Sequence, residues 1–145
     1  MSVPFRHILF AVTDAADTRQ TAQTVLALAR AFSSDVTVLH ARERIVGRRD
    51  EVREEESIED AERYGETIAR ELQGAGIRTN LATQSVRPDR LADLILGLAE
   101  AQQVDLIVIG GHHAHSLRES VFGDIGRSLV HGANCPVLLM PSPPG

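Results

Sequence analysis

Residues Asp105–Pro141 read DLIVIGGHHAHSLRESVFGDIGRSLVHGANCPVLLMP, and this stretch decides the fold. Asp105–Ile109 is a short apolar run, too compact for a helix and without the alternation of a half-exposed strand, so it predicts a strand buried on both faces. Gly110-Gly111 ends it. After a segment rich in glycine and histidine, Gly123 or Asp124 caps a helix carrying Ile125, Leu129 and Val130. Asn134-Cys135-Pro136 closes that helix, and Val137–Met140 is a second apolar strand. Two continuous apolar strands joined by a helix predict a parallel pair with a crossover.

The same alternation runs back to the amino terminus. His7–Val12 (HILFAV) reads as a buried strand, and Asp14–Thr18 as turn and cap residues. Ala22, Val25, Leu26, Ala29 and Phe32 then recur at helical spacing, and Ser33-Ser34-Asp35 stops the helix. Val36–Ala41 (VTVLHA) is the next strand. A helix follows with Ser57 as cap, Asp60 as its capping-box partner, and Ala61, Gly65, Ile68 and Leu72 on its inner face. Gly74 and Gly76 end it. Ile77–Thr83 is a strand, and Pro88 opens a helix bearing Leu91, Leu94, Ile95 and Leu98. The prediction is one α/β domain over residues 1–145, with a five-stranded, mostly parallel sheet and helices on both faces. Arg42–Glu56, arginines followed by acids, reads as a solvated, flexible loop. Residues 141–145 read as a frayed tail.

In such open sheets ligands bind beyond the carboxyl ends of the strands. That directs attention to Thr13–Asp17, Arg42–Glu56, Ser85–Arg87 and Gly110–Gly123. Composition narrows what could bind there. The net charge is −5, all 15 basic residues are arginine and aromatic residues make up 3% of the chain. These values disfavour nucleic acid and anionic membranes as partners. The absence of lysine excludes a Walker-type phosphate loop and Schiff-base chemistry. No apolar run approaches the ~20 residues of a membrane span. A single cysteine, Cys135, rules out an internal disulfide framework and is expected to be buried and inert. The expected location is the cytoplasm.

Residues 105–141 resemble the carboxyl-terminal signature of the universal stress protein family: a DLIV-type strand, a G-x2-G-x9-G-[ST] loop, a helix and a CPVL strand. HILFAV, the helix after it and VTVLHA are similar to the same family, so the resemblance spans essentially the whole chain. It implies an adenine-nucleotide alpha hydrolase-like sheet with strand order 3-2-1-4-5. It also implies a stress-response role and a homodimer formed by the last strand, Val137, Leu138, Leu139 and Met140. A self-complementary edge suits such a contact.

The resemblance gives ATP with magnesium as the alternative ligand. In that reading the backbone of Val12 and Ala41 flanks the base, while Gly110, Gly111 and Gly123 amides hold phosphate. This chain departs from the pattern at several of those positions. His113 stands at the second motif glycine and Asp124 at the motif hydroxyl. Thr13 stands where nucleotide-binding members carry aspartate, and Val86 precedes Arg87-Pro88 where a glycine is usual. A carboxylate in the first turn of a helix occupies the amides a phosphate needs. Two like charges ~4 Å apart at an effective dielectric of ~20 repel by about 4 kcal/mol. The expectation is therefore no cofactor.

His112, His113 and His115 form an H-H-x-H cluster that could ligate a transition metal or, when protonated, an anion. Adjacent residues rarely converge on one ion, and a solvated loop is the simpler reading. His40 is expected to be a packed core histidine, and His131 a cation near a helix carboxyl end. Ser116 and Ser120 lie near histidines but not in a nucleophile elbow. Catalysis is not expected, with weak nucleotide hydrolysis the one residual activity. The charge run at Arg42–Glu56 offers a possible surface for protein partners.

Overall fold

The computed structural model describes residues 4–12, 19–46, 52–54, 58–110 and 123–140. Its central sheet has five parallel strands: β1 (His7–Val12), β2 (Asp35–Val46), β4 (Thr79–Val86), β5 (Leu106–Gly110) and β6 (Val137–Met140). They lie in the order β4-β2-β1-β5-β6. Numbered among themselves along the chain, the parallel strands have the expected order 3-2-1-4-5.

Four helices cover the two faces: α1 (Arg19–Phe32), α2 (Ile58–Gly74), α3 (Leu91–Ala101) and α4 (Gly123–Gly132). Alternate residues of the strands divide between them. Ile8, Phe10 and Val12 of β1 pack with Val25, Ala29, Ile68 and Leu72 of α1 and α2. Leu9 and Ala11 pack with Leu91, Ile95 and Ala99 of α3 and Leu129 of α4. The spacing explains the helices, because Thr21, Val25 and Ala29 repeat every four residues, as do Leu91, Ile95 and Ala99. Each fully buried Leu, Ile or Phe contributes about 1.5–3 kcal/mol relative to exposure, so β1, with five residues at 1% exposure or less, anchors both layers.

Helices α1, α2 and α3 stop in the same way. Ser33 (φ 54°), Gly76 (φ 87°) and Gln103 (φ 54°) adopt the left-handed conformation. The next amide in each case bonds back five residues: Ser34 to Ala29, Ile77 to Leu72 and Val104 to Ala99. These are Schellman caps, and each delivers the chain to the amino end of a strand.

The expected loop over Arg42–Glu56 is corrected at residues 42–46 and 52–54, while residues 47–51 and 55–56 lie outside the described residues. β2 continues to Val46, and β3 (Val52–Glu54) pairs with it antiparallel, with Arg44 opposite Glu54, Ile45 opposite Arg53 and Val46 opposite Val52. Hydrogen bonding of the backbone in a hairpin does not require an apolar sequence. The strand expected at Ile77–Thr83 begins and ends later, at Thr79–Val86, because the α2 cap occupies Gly76 and Ile77. Pro88 opens a 3-10 turn (Pro88–Arg90) before α3 rather than α3 itself.

Candidate functional site

β2, β1 and β5 lie side by side, with neighbouring strands about 4.8 Å apart, and β2 runs on to Val46 past the carboxyl ends of β1 and β5. Val12 pairs with His40 and Ala11 with Ile109, so the last residues of β1 and β5, Val12 and Gly110, lie nearly level with Ala41 inside β2. All three are buried. The two sides of the order diverge at β1 and β5, where α1 and α4 cover opposite faces, and a crevice forms at such a reversal. α4 begins at Gly123, which places Asp124 in its first turn. The structure thus brings Val12 and Gly110, at the ends of β1 and β5, level with Ala41 inside β2. Thr13, Gly111 and the histidines His112, His113 and His115 lie outside the described residues. Among the described residues, no cluster of three or more metal-ligating side chains occurs.

Gly110 has a structural reason of its own. A Cβ built there would sit 3.2 Å from Oγ1 of Thr21, which α1 buries at 3% exposure against the end of β5. His40 belongs to the sheet–helix interface and not to the strand ends. It is fully buried, and a side chain at Gly65 of α2 would begin 3.4 Å from its Cβ and 3.5 Å from its Nδ1. Leu81 Cδ1 would be still closer, at 2.9 Å. Gly65 therefore lets α2 settle onto β2 and β4.

Two polar features of this end were not foreseen. Arg42, 7% exposed, donates from Nη1 to Oγ of Ser85 at 3.3 Å, joining register partners on β2 and β4. Beyond β4, Arg87 holds Asp89 in a bidentate pair, Nε to Oδ1 at 3.1 Å and Nη2 to Oδ2 at 2.7 Å. The Arg87 hydrogen bond holds the Asp89 carboxyl below its usual range, and Asp89 raises Arg87 in turn. Both side chains are exposed, with 63% and 60% of their surface accessible, so the pair orders the loop surface more than it stabilises the fold.

The opposite end of the sheet carries a denser network. His7 Nδ1 donates to the backbone carbonyl of Gln102 at 3.2 Å, and its Nε2 lies 2.7 Å from Thr37 Oγ1. The Thr37 hydroxyl donates to Gln102 Oε1 at 2.7 Å. Asp105 accepts the amides of Arg6 and His7 at 2.8 and 2.9 Å. Nearby, Cys135 is half-buried rather than fully buried. Burial pushes its thiol up, and the Asp105 carboxylate adds to the shift, so the sulfur is protonated and weakly nucleophilic at neutral pH.

Comparison with known proteins sets this geometry in context. The universal stress protein from Archaeoglobus fulgidus is 23% identical, with a TM-score of 0.67 over 94% of this chain and 93% of that one. Universal stress protein UspA from Lactobacillus plantarum is 17% identical, with a TM-score of 0.70 over 96% and 99%. A universal stress protein from Archaeoglobus fulgidus in complex with dAMP is 20% identical, with a TM-score of 0.64 over 95% and 98%. These likenesses show the fold. No curated protein matches the sequence. No helix is long and apolar enough to cross a membrane among the described residues. The family model described as Universal stress protein family matches residues 4–141, and the chain belongs to that family.

Proposed function

We propose that this chain is a non-catalytic regulator of the stress response, acting in the cytoplasm through protein partners, and that its crevice does not accept ATP. The observation that carries this reading is Asp124 in the first turn of α4. At that point a nucleotide-binding relative needs free amides and a hydroxyl, whereas a carboxylate both prefers the position and repels phosphate. The retained Gly110 is not specific to a nucleotide, because its close approach to Thr21 offers a packing reason for glycine there. A homodimer through the edge strand β6 accompanies this reading. Its four residues, Val137–Met140, are apolar, half-buried and paired on one side only with β5 among the described residues.

Isothermal titration with ATP–Mg²⁺ tests it, run on the wild type and on the double variant His113→Gly, Asp124→Ser. Heat from the variant alone supports a nucleotide fold disabled at those two residues. Micromolar binding by the wild type overturns the reading.

The second reading is an adenine-nucleotide switch, favoured by the similarity to a universal stress protein in complex with dAMP. Magnesium held between Asp124 and phosphate would reverse the local repulsion. Titration with dAMP, with and without magnesium, separates the two, since a magnesium-dependent heat supports only the switch.

A further inference from the structure

The sheet ends in two edges of different character. β6 is four residues long and follows Pro136, and short length and flanking proline both limit strand addition. β4, at the other edge, is eight residues long and reads TNLATQSV, without charge or proline. Its register with β2 runs unbroken from Val36 opposite Thr79 to Glu43 opposite Val86, so no bulge turns the edge aside. On the side away from β2 it has no strand partner among the described residues. Among the described residues, β4 thus lacks the charge, proline, bulge and outer strand partner that protect an edge.

We propose that β4 is a self-association edge, on which the β4 of a second copy of this chain pairs antiparallel about a two-fold axis normal to the sheet. Complementarity selects a second copy as the occupant. A two-fold of this kind keeps like faces together, so residues opposite each other differ by an even number of positions. Centred on Ala82, it sets Asn80 opposite Gln84, Leu81 opposite Thr83 and Thr79 opposite Ser85. Asn80 and Gln84 are exposed, and each side-chain amide both donates and accepts, so the pair satisfies itself twice across the axis. On a chain of net charge −5 many self-contacts oppose like charges, whereas Thr79–Val86 carries none. The contact is independent of any pairing at β6, and use of both edges extends the assembly beyond a dimer.

The test is the mass of the full chain by sedimentation over roughly a fifty-fold range of concentration, where mass action reveals reversible assembly. The wild type is expected to gain mass with concentration. Asn80→Lys, Gln84→Lys is expected to weaken that step at least tenfold, by opposing like charges twice across the axis. In a Cys135→Ser background, Ala82→Cys is expected to form a disulfide-linked dimer under mild oxidation. Opposed Cα atoms on such an axis lie about 4.5–5.5 Å apart, within disulfide reach. A dimer unchanged by the lysine substitutions, with no link through Ala82→Cys, overturns the proposal and leaves β6 pairing standing. A monomer at every concentration overturns both.

Discussion

The two ends of the sheet are built on different principles. At the amino end, the Schellman caps at Ser33, Gly76 and Gln103 deliver the chain to β2, β4 and β5, and His7, Thr37, Gln102 and Asp105 join β1, β2 and the α3–β5 turn by polar bonds. At the carboxyl end, Thr21 packs closely against Gly110, and the polar contacts, Arg42 with Ser85 and Arg87 with Asp89, each join one pair of side chains and not a network. The end that fixes register is rich in directional bonds, which leaves the end of the crevice to vary. Asp124, which differs from the family signature, falls in the first turn of α4, which follows the carboxyl end of β5, where changes disturb binding more than folding.

The largest test of this contrast is Asp105→Ala. It removes the acceptor of two amides and is expected to cost about 2 kcal/mol in urea unfolding, with Asp105→Asn intermediate. A loss below about 0.5 kcal/mol would break the contrast at its stronger side. Next comes Gly110→Ala, expected to cost about 1 kcal/mol through overpacking against Thr21. In a Thr21→Ala background the cost should fall by at least about 0.5 kcal/mol. Unchanged cost there would remove the packing explanation for the glycine.

Gln103→Gly is expected to stabilise the chain by about 0.5–1 kcal/mol, because glycine adopts the left-handed conformation without the penalty of a side chain. A destabilised variant would show that the exposed Gln103 side chain contributes more than its backbone strain. The smallest effect belongs to the exposed pair Arg87–Asp89. Asp89 is held below the usual aspartate range, so the pair's contribution is complete above that range and fades as pH falls through the lowered one. Arg87→Ala should melt slightly below the wild type at neutral pH and low salt. The difference should fade as pH falls through the lowered Asp89 range, and in high salt. A difference that persists in acid would assign Arg87 some role besides pairing with Asp89.

The strand order and the two-faced covering were legible because β1, β2 and β5 are apolar on both faces, and continuous apolar runs between helices leave few other arrangements. The hairpin of β2 and β3 was not legible. Arg42–Glu56 has the composition of a solvated loop, and the antiparallel register that sets Arg44 opposite Glu54 is a backbone pairing that charge counting alone does not reveal. Helix ends showed the same division. Gly76 announced its cap, while Ser33 and Gln103 adopt the left-handed conformation without a glycine to signal it. At the candidate site, Val12, Ala41 and Gly110 were named from the family resemblance, and the structure sets them nearly level in neighbouring strands. Thr21 and Ser85 were missed because their roles depend on a neighbour distant in sequence, Gly110 for one and Arg42 for the other. The expectations for Thr13, Gly111 and the H-H-x-H cluster fall outside the described residues.

The polar network at the amino end also carries a consequence in time. Its bonds join residues far apart in the chain: 30 positions for His7 and Thr37, 65 for Thr37 and Gln102, 98 for His7 and Asp105. Contacts of such separation carry a large loop-closure entropy and form late in folding, whereas the helix caps close locally and early. A late contact leaves the folding rate almost untouched and governs the unfolding rate. The strand pairings beside it span the same distances along the chain, Ile8 with Leu106 as His7 with Asp105, so the network closes together with the sheet, and its loss should appear as faster escape from the native state.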